Sequence, residues 1–401
     1  MRILHVITSL KGGGTEAQLY DLLTYFKQNP NNQHFVAYFR HGPVVDDIAK
    51  LGIPVYHIKG ILSGDQPDPL LYIRVKKLAK ELKVDLIHSA LWSADIVSRL
   101  AGRSLGIPVM SDIHTDASYR NWFRNWLDAK TAPFAQRIIA VGNVSRISYE
   151  KDVVPKIAQG AKQEHVLHNL GVVFNGIEID RTMHEGLDNK LTRKEFGLDD
   201  TDFVFGSCGR VARAKGNDLL IKAFADLCKS IESNKLYNSP NVLRPNPKLL
   251  IVGGGSVLQE LKDLTKSLGI ADKVIFTGWR TDAKRFYPLF DCYALASFNE
   301  ALSIALLDAM CFGLPVISTQ RWGFHDVIES GKNGILVPLH NIEALTKAME
   351  TIYTDQVAAR KIGELNANHV REHFTMDRKA HQFQVLFAEV VKRYQIKTKA
   401  F

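Results

Sequence analysis

Short apolar runs alternate with helix-like patterns along the whole chain, in two successive series. The first series reads RILHVIT (2–8), HFVAYFR (34–40), PVYHIK (54–59), DLIHSA (85–90), PVMSDIH (108–114) and RIIAVG (137–142). The second reads FVFGSCGRV (203–211), KLLIVGG (248–254), KVIFTG (273–278), CYALAS (292–297), PVIST (315–319) and GILVP (334–338). Apolar runs of this length separated by helices predict parallel sheets, hence an α/β chain with two Rossmann-like domains. The length of 401 residues agrees, because a single hydrophobic core rarely grows that large. The expected limits are a first domain over 1–175, a polar connector over 176–202 and a second domain over 203–376. In such sheets ligands bind at the carboxyl ends of the strands, so a cleft between the domains is the expected site. The Pro- and Asn-rich stretch 233–248 reads as a surface loop lengthening one helix–strand connection.

Composition narrows the class. With 46% hydrophobic and 23% charged residues the chain is an ordinary globular one. No apolar stretch has the length of a membrane span, and the strand-like MRILHVIT is not a signal peptide. Four scattered cysteines without a CxxC pair read as buried thiols in a reducing compartment, so a cytoplasmic protein is expected. The net charge of +9 is uneven: residues 1–175 hold 21 Lys and Arg against 15 Asp and Glu, the remainder 30 against 27. That excess suggests an anionic partner for the first domain. No zinc-ligand spacing, RNP-like motif or dense basic tract is present, so nucleic acid is set aside in favour of an anionic membrane surface. Two segments could meet such a surface. YRNWFRNWLDAKTAPFAQR (119–137) combines Trp122, Phe123 and Trp126 with Arg120, Arg124, Lys130 and Arg137, and could instead line an acceptor pocket. PLLYIRVKKLAKELK (69–83) reads more simply as a crossover helix with a wet basic face.

The residues with chemistry sit where the runs end. GGGTEAQLYDLL (12–23) follows the first strand, and its glycines and helix N-terminus suit an anion, or simply a tight turn. It is not a GxGxxG fingerprint, because Ala17 stands in the last glycine position. GRVARAKG (209–216) follows the first strand of the second domain, where Arg210 and Lys215 can converge on one diphosphate, with Arg213 as a substitute. SDIHTD (111–116) puts His114 at a strand end. In SFNEALSIALLDAMCFGLPV (297–316), Glu300 precedes a helix opening near Ser303, and Asp308 lies eight residues on, roughly two turns along one face. Backbone N–H groups near Leu302 and Ser303 suit a phosphate. A core helix with two solvated acids is the simpler alternative. The DxD triplet Asp200-Thr201-Asp202 lies in the connector, away from strand carboxyl ends, so no metal is expected.

Taken in order, these motifs resemble those of the retaining glycosyltransferases of family 4, which have the GT-B fold. Gly13, Gly14 and Glu16 match the GGxE turn, His114 the histidine beside the sugar, Arg210 and Lys215 the R-x4-K element, and Glu300 with Asp308 the E-x7-E signature. Here the second acid is Asp, one methylene short. The 233–248 insertion is a further departure, and Asp116 is one residue too far along to match the family's HD pair. NG at Asn175–Gly176 resembles the turn beside the cleft, and it and AVGNVSR (140–146) read as mainly structural. The amphipathic 377–401 segment would cross back to the first domain, as the last helix does in this fold, or pack as a plain terminal helix.

The resemblance implies a metal-independent transfer from a nucleoside diphosphate sugar, with retention, and no cofactor beyond that donor substrate. UDP is the expected nucleotide. Arg210, Lys215 and the amides at Leu302 and Ser303 would hold the diphosphate, Gly13 and Gly14 would line the donor site, Glu300 would meet the sugar and Asp308 the ribose. His114 would position the sugar and the incoming hydroxyl. The acceptor implied is a glycan, lipid-linked, in bacterial surface polysaccharide or lipopolysaccharide synthesis. A UDP-sugar 2-epimerase would use the same architecture without an acceptor. A non-catalytic nucleotide-sugar binder would keep Arg210 and Lys215 but could dispense with His114 or Glu300.

Overall fold

The structure, a computed structural model, describes residues 1–28, 30, 32–188, 191–233, 245–298, 300–320 and 322–399. The chain divides into two compact units, one of residues 1–176 with 376–401 and one of residues 177–375. The first unit carries a seven-stranded sheet of β1 (Arg2–Ser9), β2 (Gln33–Arg40), β3 (Val55–His57), β4 (Leu86–Ala90), β5 (Val109–Ile113), β6 (Arg137–Ala140) and β7 (Leu170–Val172). Its order is β3-β2-β1-β4-β5-β6-β7 and every pairing is parallel. The second unit carries β8 (Phe203–Cys208), β9 (Pro247–Val252), β10 (Val274–Phe276), β11 (Cys292–Leu295), β12 (Val316–Thr319) and β13 (Ile335–Val337), ordered β10-β9-β8-β11-β12-β13, again all parallel. All twelve apolar runs are strands. The seventh strand of the first sheet is LGV, too short and too glycine-rich to read as one in sequence.

Helices on both faces explain the unbroken apolar runs. Ile3, Leu4, Val6 and Ile7 of β1 are all buried, as are Phe203, Val204 and Phe205 of β8. The helix Pro69–Glu81 shows the local logic: Asp68 caps it, accepting from the amides of Leu70 and Leu71 at 2.9 and 3.0 Å, and Pro69 needs no partner at the first helical position. It buries Leu71, Val75 and Leu78 and turns Arg74, Lys76, Lys77 and Lys80 outward, so it is the crossover helix expected.

The expected connector over 176–202 belongs, from Ile177 on, to the second unit. The helix Ile179–Leu187 packs on the second unit, so closely that a Cβ at Gly186 would lie 2.2 Å from the Phe312 ring. Arg193 donates to Asp291 at 2.8 Å and to the carbonyls of Leu289 and Asp202, anchoring the chain just before β8. Ion pairs and ring packing of this kind are invisible to composition, which registers only polarity. The helix Met376–Lys399 belongs to the first unit, where Phe383 and Phe387 pack on His5 and His88. Most of the 233–248 insertion lies outside the described residues.

Candidate active site

In the order β10-β9-β8-β11-β12-β13 the chain reverses direction of build between β8 and β11, and ligands bind outside the carboxyl ends of such a strand pair. Both candidate loops of the second unit leave from there. The loop after β8 is pressed against the end of β11: Ala214 O accepts from Phe298 N at 2.8 Å and from Ser297 Oγ at 3.1 Å. Gly216 makes that approach possible, since it sits at φ +63° and a Cβ would lie 2.1 Å from Ala296 O. The result is an ion pair between Lys215 and Glu300, both side chains largely buried. Arg210 and Lys215 line one concavity with Ser207, Cys208 and Asn217. Arg213 is not a substitute: it is exposed and pairs with Glu260 at 3.1 Å.

The helix after Glu300 runs Ile304–Cys311, capped by Ser303, whose hydroxyl accepts from Leu306 N. Asp308 is buried within it. Glu300 and Asp308 both raise the pKa of the same buried phenol, Tyr293, although burial is the larger cause. Tyr293 in turn donates to the Cys208 carbonyl at 3.2 Å, at the end of β8. The two acids, the end of β8 and the Arg210–Lys215 loop therefore form one locality. Leu302 and Ser303 are buried beside it.

In the first unit the glycine turn after β1 is closed by its own acid. Gly14 opens the helix Gly14–Gln28, and a Cβ at Gly13 would lie 2.7 Å from a carboxylate oxygen of Glu16. Glu16 is buried, which raises its pKa, while hydrogen bonds from Ser9 and the backbone of Gly13 and Lys11 oppose that rise. Glu16 is thus a brace for the turn. Gln18, 158 residues before Gly176, donates to that carbonyl at 2.6 Å and accepts from the Gly176 amide at 3.1 Å. Lys379 then joins Gln18 (2.7 Å) and Asn175 (3.2 Å). The NG turn is a structural clasp, and Gln18 and Lys379 are its partners.

His114 follows β5 directly, with its imidazole 7% exposed and Nε2 4.0 Å from Asp112 Oδ2. Burial pushes its pKa down to about 3, against the pull of Asp112, so the ring is neutral at ordinary pH. Three more histidines lie in the same layer. His34 is held down to about 4 and His5 well below its usual value, both mainly by burial and then by neighbouring imidazoles. Unfolded, His114, His34 and His5 take protons near pH 6.5. Between about 6.5 and 4 the unfolded chain therefore binds more protons than the folded one, and stability of the first unit falls as pH falls. Asp95 works the other way, since burial raises it to about 7 and the fold keeps a proton that the unfolded chain releases. Glu16, raised by burial, adds to Asp95. With three imidazoles against two carboxyls the melting temperature should still drop from pH 7 to pH 4, and His34→Gln should flatten that slope; a melting temperature that rises toward pH 4 would contradict this.

The helix Trp122–Thr131 is inverted. It buries Asn125 and Asp128, while Trp122, Phe123 and Trp126 are 71%, 47% and 40% exposed. Arg124 covers Trp92 and Lys130 covers Trp126, so cations fringe the aromatic face. The DxD triplet behaves as a turn: Asp202 accepts from the Asp199 amide at 2.8 Å before β8. Among the described residues no three His, Cys, Asp or Glu side chains are grouped to hold a metal ion. No helix among them is long and apolar enough to cross a membrane, and all four cysteines are buried and free.

Comparison with known proteins agrees with this fold. The model of Glycosyltransferase Family 4 matches residues 12–158 and that of Glycosyl transferases group 1 matches 188–369. The UDP-Gal:alpha-D-GlcNAc-diphosphoundecaprenol alpha-1,3-galactosyltransferase of Escherichia coli is 25% identical over 71% of this chain and 70% of its own. The D-inositol 3-phosphate glycosyltransferase of Stackebrandtia nassauensis is 24% identical over 85% and 77%. The crystal structure of Anabaena Alr3699/HepE in complex with UDP superposes with TM-score 0.79 at 22% identity, covering 97% of this chain and 100% of that one. The apo lipopolysaccharide outer core galactosyltransferase WaaB gives 0.71 at 17% identity, over 97% and 100%.

Proposed function

The chain belongs to the family 4 glycosyltransferases of GT-B fold, and from that premise we propose that it moves a sugar from a UDP-sugar to a lipid-linked glycan acceptor with retention of configuration. The observation that carries this reading is the meeting of Arg210, Lys215 and Glu300 at the strand reversal of the second sheet. Two cations and an acid there match the needs of a departing diphosphate and of the sugar it carries. Arg210, Lys215 and the amides at Leu302 and Ser303 stabilise the leaving group electrostatically, which is the task a metal ion performs in other transferases. On donor binding Lys215 turns from Glu300 to the diphosphate, and Glu300 hydrogen-bonds the sugar. Asp308 takes the ribose, Gly13 and Gly14 contribute to the donor site, and His114 positions the sugar and the acceptor hydroxyl. The C1–O bond to the diphosphate breaks as the acceptor oxygen bonds C1 from the same face. The acceptor proton passes to the diphosphate.

The Escherichia coli relative is named for a UDP-sugar donor and a diphosphoundecaprenol-linked acceptor, and the Anabaena protein holds UDP. Those names and the lipopolysaccharide transferase among the structural relatives favour surface polysaccharide or lipopolysaccharide synthesis at the inner face of the cytoplasmic membrane. The exposed aromatic helix with its fringe of cations would rest on that face. The deciding experiment incubates the protein with UDP-, GDP- and ADP-sugars, with and without membrane lipid extract, in EDTA, and measures nucleoside diphosphate release. Lipid-dependent release from a UDP-sugar is the expected result. Sugar conversion without acceptor would favour the epimerase, and binding without release the non-catalytic binder. Trp122→Ala with Trp126→Ala should abolish sedimentation with anionic liposomes at low salt while leaving turnover on a soluble acceptor intact; unchanged sedimentation would refute the membrane contact.

A further inference from the structure

Beneath the helix Met376–Lys399, four polar side chains cross the first sheet in single file. His34 Nδ1 lies 2.9 Å from His5 Nε2, His5 Nδ1 lies 2.8 Å from His88 Nδ1, and His88 Nε2 lies 2.9 Å from Asp112 Oδ2. His5, His88 and Asp112 are 1%, 3% and 4% exposed, and Phe26, Phe383 and Phe387 seal the file. A carboxylate can only accept, so His88 donates from Nε2, and as a neutral ring it accepts at Nδ1. His5 then donates from Nδ1 and accepts at Nε2, and His34 donates from Nδ1. Each neutral ring has one N–H, and the file admits one arrangement, running toward Asp112. Parallel strands β2, β1, β4 and β5 hold these residues in register, so Asp112 Oδ2 cannot swing freely.

The file ends beside His114. The oxygen that His88 fixes is the one 4.0 Å from His114 Nε2. That separation is too long for a hydrogen bond but short for a buried charge facing a ring N–H. We propose that Asp112 is a positioning residue for His114: its fixed carboxylate selects the Nε2–H tautomer and leaves Nδ1 as the acceptor that meets the incoming hydroxyl. The inference rests on the role given to His114 above. Lys379, from the helix that covers the file, is the cation facing Asp112, and Asp21 faces Lys379 in turn. The Lys379 ammonium and Asp112 therefore act on His114 with opposite sign. A carboxylate orienting an imidazole in this way leaves the other nitrogen free to hold the hydroxyl in place.

Asp112→Asn is the decisive variant, because its amide oxygen can still accept from His88 and the file survives while the charge is lost. We expect kcat to fall about 10- to 100-fold, less than the loss of a proton-transferring group itself because Asp112 only orients the ring, with donor KM and melting temperature nearly unchanged. Nitrogen-15 spectra of the histidine rings should show His114 as Nε2–H in the wild-type protein and as a tautomer mixture in the variant. Wild-type turnover by Asp112→Asn overturns the proposal. So does a fall in turnover with the His114 tautomer unchanged, which would mean that Asp112 acts by another route. The wild-type spectrum alone tests it even if the variant fails to fold: His114 found as Nδ1–H refutes it. His114→Ala separates the two readings. Full turnover by that variant would remove His114 from the proposed function, whereas an inactive His114→Ala beside a fully active Asp112→Asn would leave that function standing and sink only the present inference.

Discussion

Glu300→Gln should lower turnover by about 10²- to 10³-fold while leaving donor affinity within a few-fold of wild type. The magnitude is that of removing one preorganised electrostatic group from a reacting centre. Glutamine keeps the shape and one acceptor, so what disappears is the negative charge beside the sugar. That charge has most to do when C1 becomes cationic, so the loss falls on kcat. Lys215→Met should reduce turnover comparably, because its ammonium is both the partner of Glu300 and a cation for the diphosphate. The double variant should be far less damaged than the product of the two single losses, since groups in direct contact do not act independently. Initial rates of nucleoside diphosphate release over a donor titration give all three numbers. A fully active Glu300→Gln would remove Glu300 from the chemistry and with it the central assignment.

The sheets were legible because buried parallel strands leave continuous apolar runs, and all but LGV at 170–172 have them. The switch-point residues were legible because loops after β8 and β11 carry charges that no core needs. What sequence concealed came from partners far apart along the chain. Arg213 and Lys215 look interchangeable in GRVARAKG, but Glu260 takes the first and Glu300 the second. Residues 177–202 look like a linker because their polar side chains are read without Asp291 and Phe312, which bind them. Asp112 hides inside an apolar strand, and Lys379 inside an amphipathic helix whose charged face looks solvated. Neither has a local signal: Asp112 is held by the His88 ring, 24 residues back, and Lys379 joins a turn 204 residues away.

The same concealment governs the largest stability effect we expect. Asp128→Ala should destabilise the first unit by about 3–5 kcal/mol, the range for breaking a buried ion pair from one side. Asp128 lies on the inverted helix Trp122–Thr131 and is 1% exposed. It pairs with fully buried Arg99, accepts from Arg120 at 2.7 Å and accepts from the Tyr149 hydroxyl at 2.8 Å. The two arginines and the phenol together hold its pKa low against the opposing effect of burial. Alanine leaves Arg99 in the core with a charge that Asp95 alone must meet. For a unit of about 200 residues this corresponds to a melting-temperature loss of roughly 6–20 °C. Arg120→Met, which leaves the Arg99–Asp128 pair intact, should lose much less. Arg99 also donates to Ser111 at 3.1 Å, the residue before Asp112, so the network joins the aromatic helix to the strand that ends at His114. Calorimetry of the two variants beside wild type decides the matter: a shift under about 2 °C for Asp128→Ala would show that the buried arginine finds another partner.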